Sequence, residues 1–374
     1  MSTLRSWTEI DLSAYERNLN NIKGILPEHL NIISVVKADA YGHGLPQIVE
    51  RSIKSGIKIF AVANLQEAHE IRNIGHGWPV LLLGALLPGE ELEIPNSDFI
   101  PTISSVDELR RLNQASLAKD CISNFHLKID TGMGRLGIWY TEAAELINQL
   151  SAFKNVKMSG IYSHLSDVKA SPDFTQLQKN RLESTIESLS IDPEVMLHID
   201  NSSTLHDSNS FDNFKAIRIG LLQYGIKPYS AFNLDRAFIS PTLSFYTKVG
   251  LVKSLPKGTA ISYGRSYTLE KDSRLAVLTA GYGDGIPIEY GKEGTVLIKG
   301  VHCPILGRIT MDQTIIDVSN VPEVQVGEKA ILIGESEGAT ILIEDFCKKA
   351  KTIPWALLCS ITKRVKRLYI NPRT

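Results

Sequence analysis

The run Asn31-Ile32-Ile33-Ser34-Val35-Val36-Lys37 passes directly into Ala38-Asp39-Ala40-Tyr41-Gly42-His43-Gly44. Apolar and β-branched, residues 31–36 predict a strand buried on both faces, as in a parallel sheet. Lys37 then stands where that strand leaves the core. A lysine partly withdrawn from water has a lowered pKa, and its neutral amine can serve as nucleophile or base. The same position also suits a lysine that only snorkels from a strand end. The loop weighs toward chemistry, because Tyr41, Gly42, His43 and Gly44 bring a hydroxyl, an imidazole and room for close backbone approach beside the amine.

Outward from this stretch, strand-like runs near 31–37, 57–63, 79–84, 98–103, 124–130, 157–163, 195–200 and 216–220 alternate with helical patterns such as 65–71 and 106–112. Asp11 or Ser13 is placed to cap a first helix whose Leu12, Tyr15, Leu19, Ile22 and Leu26 share one face. Eight strand-then-helix units are what a TIM (β/α)8 barrel of roughly 250 residues requires. A doubly wound open sheet stays as the alternative, since counting strands does not close them. In a barrel the active site lies at the carboxyl ends of the strands. Lys37 ends the first, Lys128 and Asp130 the fifth, His164 the sixth, Asn201 and Ser202 the seventh, and Arg218 leads to Gly220 on the eighth. Each has an ordinary structural use alone, and it is their agreement on one face that points to a site.

Past residue 232 the texture changes to short β-rich runs, at 245–251, 275–278, 295–298, 314–318 and 330–333, with a short helix expected at 341–349. The expected organisation is a barrel over 1–232 and a mainly β domain over 233–374, the first few residues being able to pair with the β domain. A net charge of -1 gives no reason to expect a polyanion or membrane partner. Cys121, Cys303, Cys347 and Cys359 show no metal spacing and are expected as free thiols in a reducing compartment. The start lacks the apolar core of a secretory signal. A cytoplasmic, soluble protein is expected.

Residues 36–44, Val-Lys-Ala-Asp-Ala-Tyr-Gly-His-Gly, resemble the cofactor-lysine signature of the alanine racemases, which carry pyridoxal 5'-phosphate as a Schiff base on that lysine. The likeness continues in Leu127-Lys128-Ile129-Asp130-Thr131-Gly132-Met133-Gly134-Arg135-Leu136-Gly137, in Ser262-Tyr263-Gly264-Arg265, and in Gly307-Arg308-Ile309-Thr310-Met311-Asp312. It implies two catalytic bases, Lys37 on one face of the substrate and Tyr263 of a partner subunit on the other. Cofactor contacts implied in the same way are Lys37, Tyr41, His164, Ser202, Arg218, Gly220, Leu221 and Trp355. Arg135, Met311 and Asp312 would meet substrate, and Lys128 matches a lysine often carbamylated in the family. Arg218 matches an arginine facing the pyridine nitrogen; a guanidinium has only donors and cannot accept from a pyridinium, so that nitrogen would stay unprotonated. A homodimer with shared sites, a small amino-acid substrate, and D-alanine supply for peptidoglycan complete what the resemblance implies. Nucleic-acid and metal sites are not expected.

The chain departs from the family at Ile353-Pro354-Trp355-Ala356, where P-Y-E is common, so Trp355 replaces a hydroxyl with one indole N–H. Alternatives remain: a broader alanine/serine racemase, a barrel decarboxylase using the same cofactor, or a non-catalytic cofactor-binding protein. Gly132-x-Gly134-x-x-Gly137 also fits a dinucleotide fingerprint formally, but it follows the fifth strand, and no acidic residue ends the next one.

Overall fold

A computed structural model describes residues 4–189, 191–205, 214–228, 238–321 and 323–371. The chain forms two compact units, one of Glu16–Ala40 and Leu45–Ser240, the other of Met1–Tyr15, Tyr41–Gly44 and Pro241–Thr374. The junction expected at residue 232 lies outside the described residues. Strand β1 (Ser6–Asp11) and helix α1 (Leu12–Ile25) open the chain. Asp11 is the cap of α1, its Oδ1 accepting from the Ala14 N–H at 2.8 Å.

Eight parallel strands follow where apolar runs predict them: β2 (Asn31–Val35), β3 (Ile59–Val62), β4 (Val80–Ala85), β5 (Phe99–Ile103), β6 (Ser123–Asp130), β8 (Val156–Tyr162), β9 (Met196–His198) and β10 (Ala216–Ile219). A two-residue β7 (Ile138–Trp139) leans on β6. Between them run α2 (Lys37–Gly42), α3 (Leu45–Lys54), α4 (Leu65–Arg72), α5 (Val106–Ala118), α6 (Ala143–Gln149) and α7 (Pro172–Glu187). The strand order is β10-β2-β3-β4-β5-β6-β8-β9. A parallel bridge between Asn201 and Arg218 joins its two ends, which makes this a nearly closed barrel and removes the open-sheet alternative. Buried Ile33, Val35, Phe60, Phe125, Leu127, Ile161 and Ile217 build its apolar layers.

One layer inside the barrel is polar. Thr102 Oγ1 and Tyr162 OH meet at 2.6 Å, His126 Nδ1 and His198 Nε2 at 3.0 Å, and the Tyr162 and His198 rings stack 4.8 Å apart. Space for His126 comes from Gly160, where a Cβ would lie 2.5 Å from its Nε2.

In the other unit β11 (Leu243–Leu255) is the spine, antiparallel to β1, β14 (Ser273–Leu278) and β18 (Lys329–Ser336). Around it lie β12 (Ala260–Ile261) paired with β13 (Tyr267–Thr268), β15 (Thr295–Ile298) with β16 (Val301–Pro304), β17 (Thr314–Asp317) with β14, and β19 (Ala339–Ile341) with β18. Helices α8 (Ile343–Ala350) and α9 (Pro354–Ser360) precede β20 (Lys366–Ile370), which lies parallel to β1. So the first described strand belongs to this sheet. Among the described residues no helix is long and apolar enough to cross a membrane.

Gly160→Ala drives a methyl into the His126 ring inside a packed barrel, and overpacking of this kind costs about 1–3 kcal/mol. A urea titration of the variant is expected to show a lower midpoint with an unchanged slope.

Candidate active site

Lys37 is half-buried and begins α2, so the strand ends two residues before it and not on it. The reason is the hand of the next turn. Ala38, Asp39, Ala40 and Tyr41 have φ of 55, 54, 52 and 54°, a left-handed helical turn built without glycine. L-residues lose about 1–2 kcal/mol each in that conformation. Hydrogen bonds hold it: Ala40 N–H donates to Val36 O at 2.9 Å, Asp39 Oδ1 accepts from Leu45 N–H at 2.8 Å, and Glu67 Oε1 accepts from Ala38 N–H at 2.6 Å. Gln223 and Tyr224 donate to Val35 O, anchoring the strand just before the lysine. His43 has another task than the sequence offers it. Its ring nitrogens lie 2.9 Å from Tyr41 O and 2.9 Å from the Thr242 hydroxyl, so the imidazole is a structural clasp.

Around the carboxyl ends of the barrel strands the side chains are mainly cationic. Arg218 is buried and donates to Ser163 O at 2.8 Å, Ile199 O at 2.9 Å and His198 O at 3.3 Å. Its NH1 also lies 2.6 Å from His198 Nδ1. Because a guanidinium only donates, His198 accepts there, carries its proton on Nε2, and donates to His126 Nδ1. Burial pushes His126 down to about 3 and His164 to about 2, Arg218 adding to both, and carries His198 well below its usual range. These imidazoles are neutral relays. Burial, then Arg218 and Arg135, push the Lys128 amine down to about 7, with Asp130 opposing and Lys37 reinforcing.

The loop after β6 carries Arg135, which is exposed. Asp130 Oδ1 accepts from the N–H groups of Gly132 and Gly134 at 2.9 and 3.1 Å, folding the loop back on its strand. At Gly137 a Cβ would lie 2.8 Å from Asp130 N, so these glycines serve the loop's own path and not a dinucleotide. Buried Gln178 ties this loop to the next, donating to His164 O at 3.1 Å and Thr131 Oγ1 at 3.4 Å while accepting from Ser166 N–H at 2.9 Å. At the eighth strand Ser202 Oγ accepts from Gly220 N–H at 3.0 Å, and Leu221 begins a short 3-10 turn.

In the β unit, Tyr263 is 71% exposed on a turn whose Ser262, Gly264 and Arg265 all have positive φ. Ser262 Oγ donates to Arg308 O at 2.6 Å, stapling this turn to the next. Met311 and Asp312 lie on a second turn held by Gly283 N–H donating to Met311 O at 2.8 Å. Arg364 donates to Asp312 at 2.8 Å and to the buried Asp284 at 3.2 Å. Trp355 is half-buried on α9 and Tyr41 half-buried on its turn.

Lys37, Lys128, Arg135, His164, Ser202, Arg218, Gly220 and Leu221 thus belong to the barrel unit; Tyr41, Tyr263, Met311, Asp312 and Trp355 belong to the other. Sequence reasoning passed over His126, His198, Tyr162, Gln178 and Arg364. The signal for the first two was a histidine inside a run otherwise apolar enough for a buried strand. The barrel's donor set fits a phosphorylated aldehyde. It offers a primary amine for the carbonyl, and the groups acting on Lys128 are three cations, Arg218, Arg135 and Lys37, against one acid, Asp130.

Comparison with known proteins adds an independent line. Family models match as "Alanine racemase, N-terminal domain" over residues 10–228 and "Alanine racemase, C-terminal domain" over 242–369. An alanine racemase of Halothermothrix orenii is 35% identical over 373 residues, covering 99% of this chain and 98% of that one. A solved alanine racemase of Clostridium difficile 630 superposes with TM-score 0.91 at 30% identity over 99% of this chain and 97% of its own. One from Bartonella henselae, described with covalently bound pyridoxal phosphate, gives 0.87 at 25% identity over 98% and 99%.

The buried histidines set an acid limit. Their folded pKa values lie below the ordinary 6.5, so at lower pH the unfolded chain binds protons that the folded one refuses. Their stabilising contribution is present above about pH 6.5 and is lost as pH falls toward about 3. Unfolding free energy measured from pH 7 to 4 is expected to fall, with a shallower slope in His126→Asn.

Proposed function

The chain belongs to the alanine racemase family, and from that premise we propose that Lys37 and Tyr263 are its two proton-exchanging bases, contributed by different subunits of a homodimer. The reaction is the interconversion of L- and D-alanine. The family depends on pyridoxal 5'-phosphate, and we take this chain to bind it through Lys37. The observation that carries the reading is Lys37 itself, half-buried at the first position of α2, two residues past β2, its charge one of those that lower the proton affinity of Lys128 and His164.

Pyridoxal 5'-phosphate, when bound, supplies an electron sink for the charge left on Cα as its proton departs. The chain's residues do the rest. Lys37 Nζ takes or returns the proton on one face, and the partner subunit's Tyr263 does so on the other through its phenol oxygen. Exchange from both faces makes either enantiomer a substrate. Arg135, with the partner subunit's Met311 and the partner subunit's Asp312, would hold the substrate carboxylate, while Ser202, Gly220 and Leu221 would hold the cofactor's phosphate. Arg218 offers donors and accepts no proton. His164 stays neutral beside it. Lys128 is suited to carbamylation: near neutrality a large part of it is the free amine, which forms an N–C bond to carbon dioxide as a proton leaves. The resulting anion would pair with Arg135 and offset the local excess of cations. D-alanine supply for peptidoglycan is the physiological role that follows.

Lys37→Ala is expected to abolish both the imine absorbance of the purified protein and D-alanine formation. Tyr263→Phe should keep the absorbance and lose about 10²-fold or more in kcat, the usual worth of a positioned general acid–base. Assaying L-serine beside L-alanine tests the broader-specificity reading, and a wild type with the imine band but no turnover would make this a binding protein. With ¹³C-bicarbonate, a carbamate resonance is expected in wild type and not in Lys128→Ala; identical spectra would remove the modification.

A further inference from the structure

We propose that Glu67 is a positioning residue for Lys37, its carboxylate clamping the peptide plane that joins Lys37 to Ala38. Glu67 Oε1 accepts from Ala38 N–H at 2.6 Å, and Oε2 accepts from Ala63 N–H at 2.8 Å. The Ala38 N–H lies in the Lys37–Ala38 peptide plane, so fixing it fixes ψ of Lys37 and φ of Ala38 together. Those two angles decide whether the chain enters the left-handed turn at all, and hence where the Lys37 side chain points. A turn with four L-residues at φ of 52–55° persists only when its surroundings over-determine it. Glu67 supplies a charge-assisted bond at the first of the four.

Capping alone does not explain this carboxylate. Glu67 is the third residue of α4, and the cap is Asn64, whose side chain accepts from Glu67 N–H at 3.0 Å. Helix α5 provides the comparison within the same barrel. Ser105 caps it, and Glu108, again the third residue, reaches back to Ser104 N–H at 2.6 Å. That bond is the counterpart of Glu67 to Ala63. The additional bond across to the end of the neighbouring strand, at the residue after the lysine, belongs to Glu67. Two helices thus begin with the same device, and the one beside β2 uses its second oxygen on the Lys37 turn.

The inference rests on the reading of Lys37 as cofactor-bearing base. The test compares Glu67→Gln with Glu108→Gln, in enzyme stripped of cofactor and reloaded with pyridoxal 5'-phosphate. An amide keeps one acceptor oxygen, so one of the two N–H groups faces an NH2. Glu108→Gln can keep its bond to Ser104 N–H through its one oxygen, so Glu67→Gln should lose more thermal stability than Glu108→Gln. Glu67→Gln alone should weaken pyridoxal 5'-phosphate binding, read from the imine absorbance, by about tenfold or more, the worth of one charge-assisted hydrogen bond. Its kcat should fall similarly while KM for L-alanine holds within about twofold, as expected when a base and not a binding contact is disturbed. Should Glu67→Gln fail to fold, Glu67→Asp, one methylene short of reaching both amides, takes its place with a smaller loss expected. Wild-type cofactor affinity and kcat in these variants, or equal losses in Glu108→Gln, would overturn the inference. A wild type that forms no imine band would instead overturn the reading of Lys37, and this inference with it.

Discussion

A guanidinium held out of water at the end of a barrel sets the terms for every group around it. Removing such a charge from solvent is costly unless its donors are met. Arg218 meets them with three backbone carbonyls and an imidazole, and the Asp200 carboxylate lies close enough to favour its charge. The neighbours then have little freedom. Arg218 is the leading electrostatic cause, after burial, of the lowered proton affinity of His126, His164, His198 and Lys128. One buried cation therefore produces neutral imidazoles and an amine poised near neutrality. It also leaves the surroundings in want of an anion, which a phosphate, a substrate carboxylate or a carbamate can provide.

Backbone strain marks the same chemistry from another side. Four left-handed residues follow Lys37, and Ser262, Gly264 and Arg265 surround Tyr263 with positive φ. Neither conformation is a local preference, and both are held by specific partners. Gly42 shows how tight the first is: a Cβ there would stand 2.3 Å from Leu358 O. Strain concentrated where two side chains must point in set directions is what pre-organised sites are expected to store.

Much of the barrel was legible because parallel strands are continuous apolar runs, and eight such runs lie at their observed places. Edge elements of the β unit were not. Strands such as Val301-His302-Cys303-Pro304 and Lys366-Arg367-Leu368-Tyr369-Ile370 are half-exposed and carry charge, imidazole or proline, so they read as loop. Lys37, Lys128 and Arg218 could be found as charged residues at strand ends. The left-handed turn could not, because Ala-Asp-Ala-Tyr has right-handed propensity and one of its holders, Glu67, comes from 29 residues further along the chain. Nor does spacing reveal that His126 and His198, on different strands, meet at 3.0 Å.

Tyr263 stands under the same electrostatic constraint. A phenol that exchanges a proton with carbon must spend part of the cycle as phenolate, which nearby cations favour. The turn is built for their approach. Gly264 has no side chain, and a Cβ in its place would come within 3.9 Å of the Arg308 guanidinium. Ser262 fixes that relation by donating to the Arg308 carbonyl, while Arg308 N–H donates to Ser266 Oγ at 3.2 Å. So the Ser-Tyr-Gly-Arg and Gly-Arg-Ile-Thr-Met-Asp motifs, separated by some forty positions in the chain, form one hydrogen-bonded corner. A tyrosine kept exposed and anchored at its backbone, with a guanidinium beside its turn, is suited to a ligand that its own unit does not hold. The proposed partner subunit's lysine site would answer that description, the phenol there having only a single proton to exchange on one face.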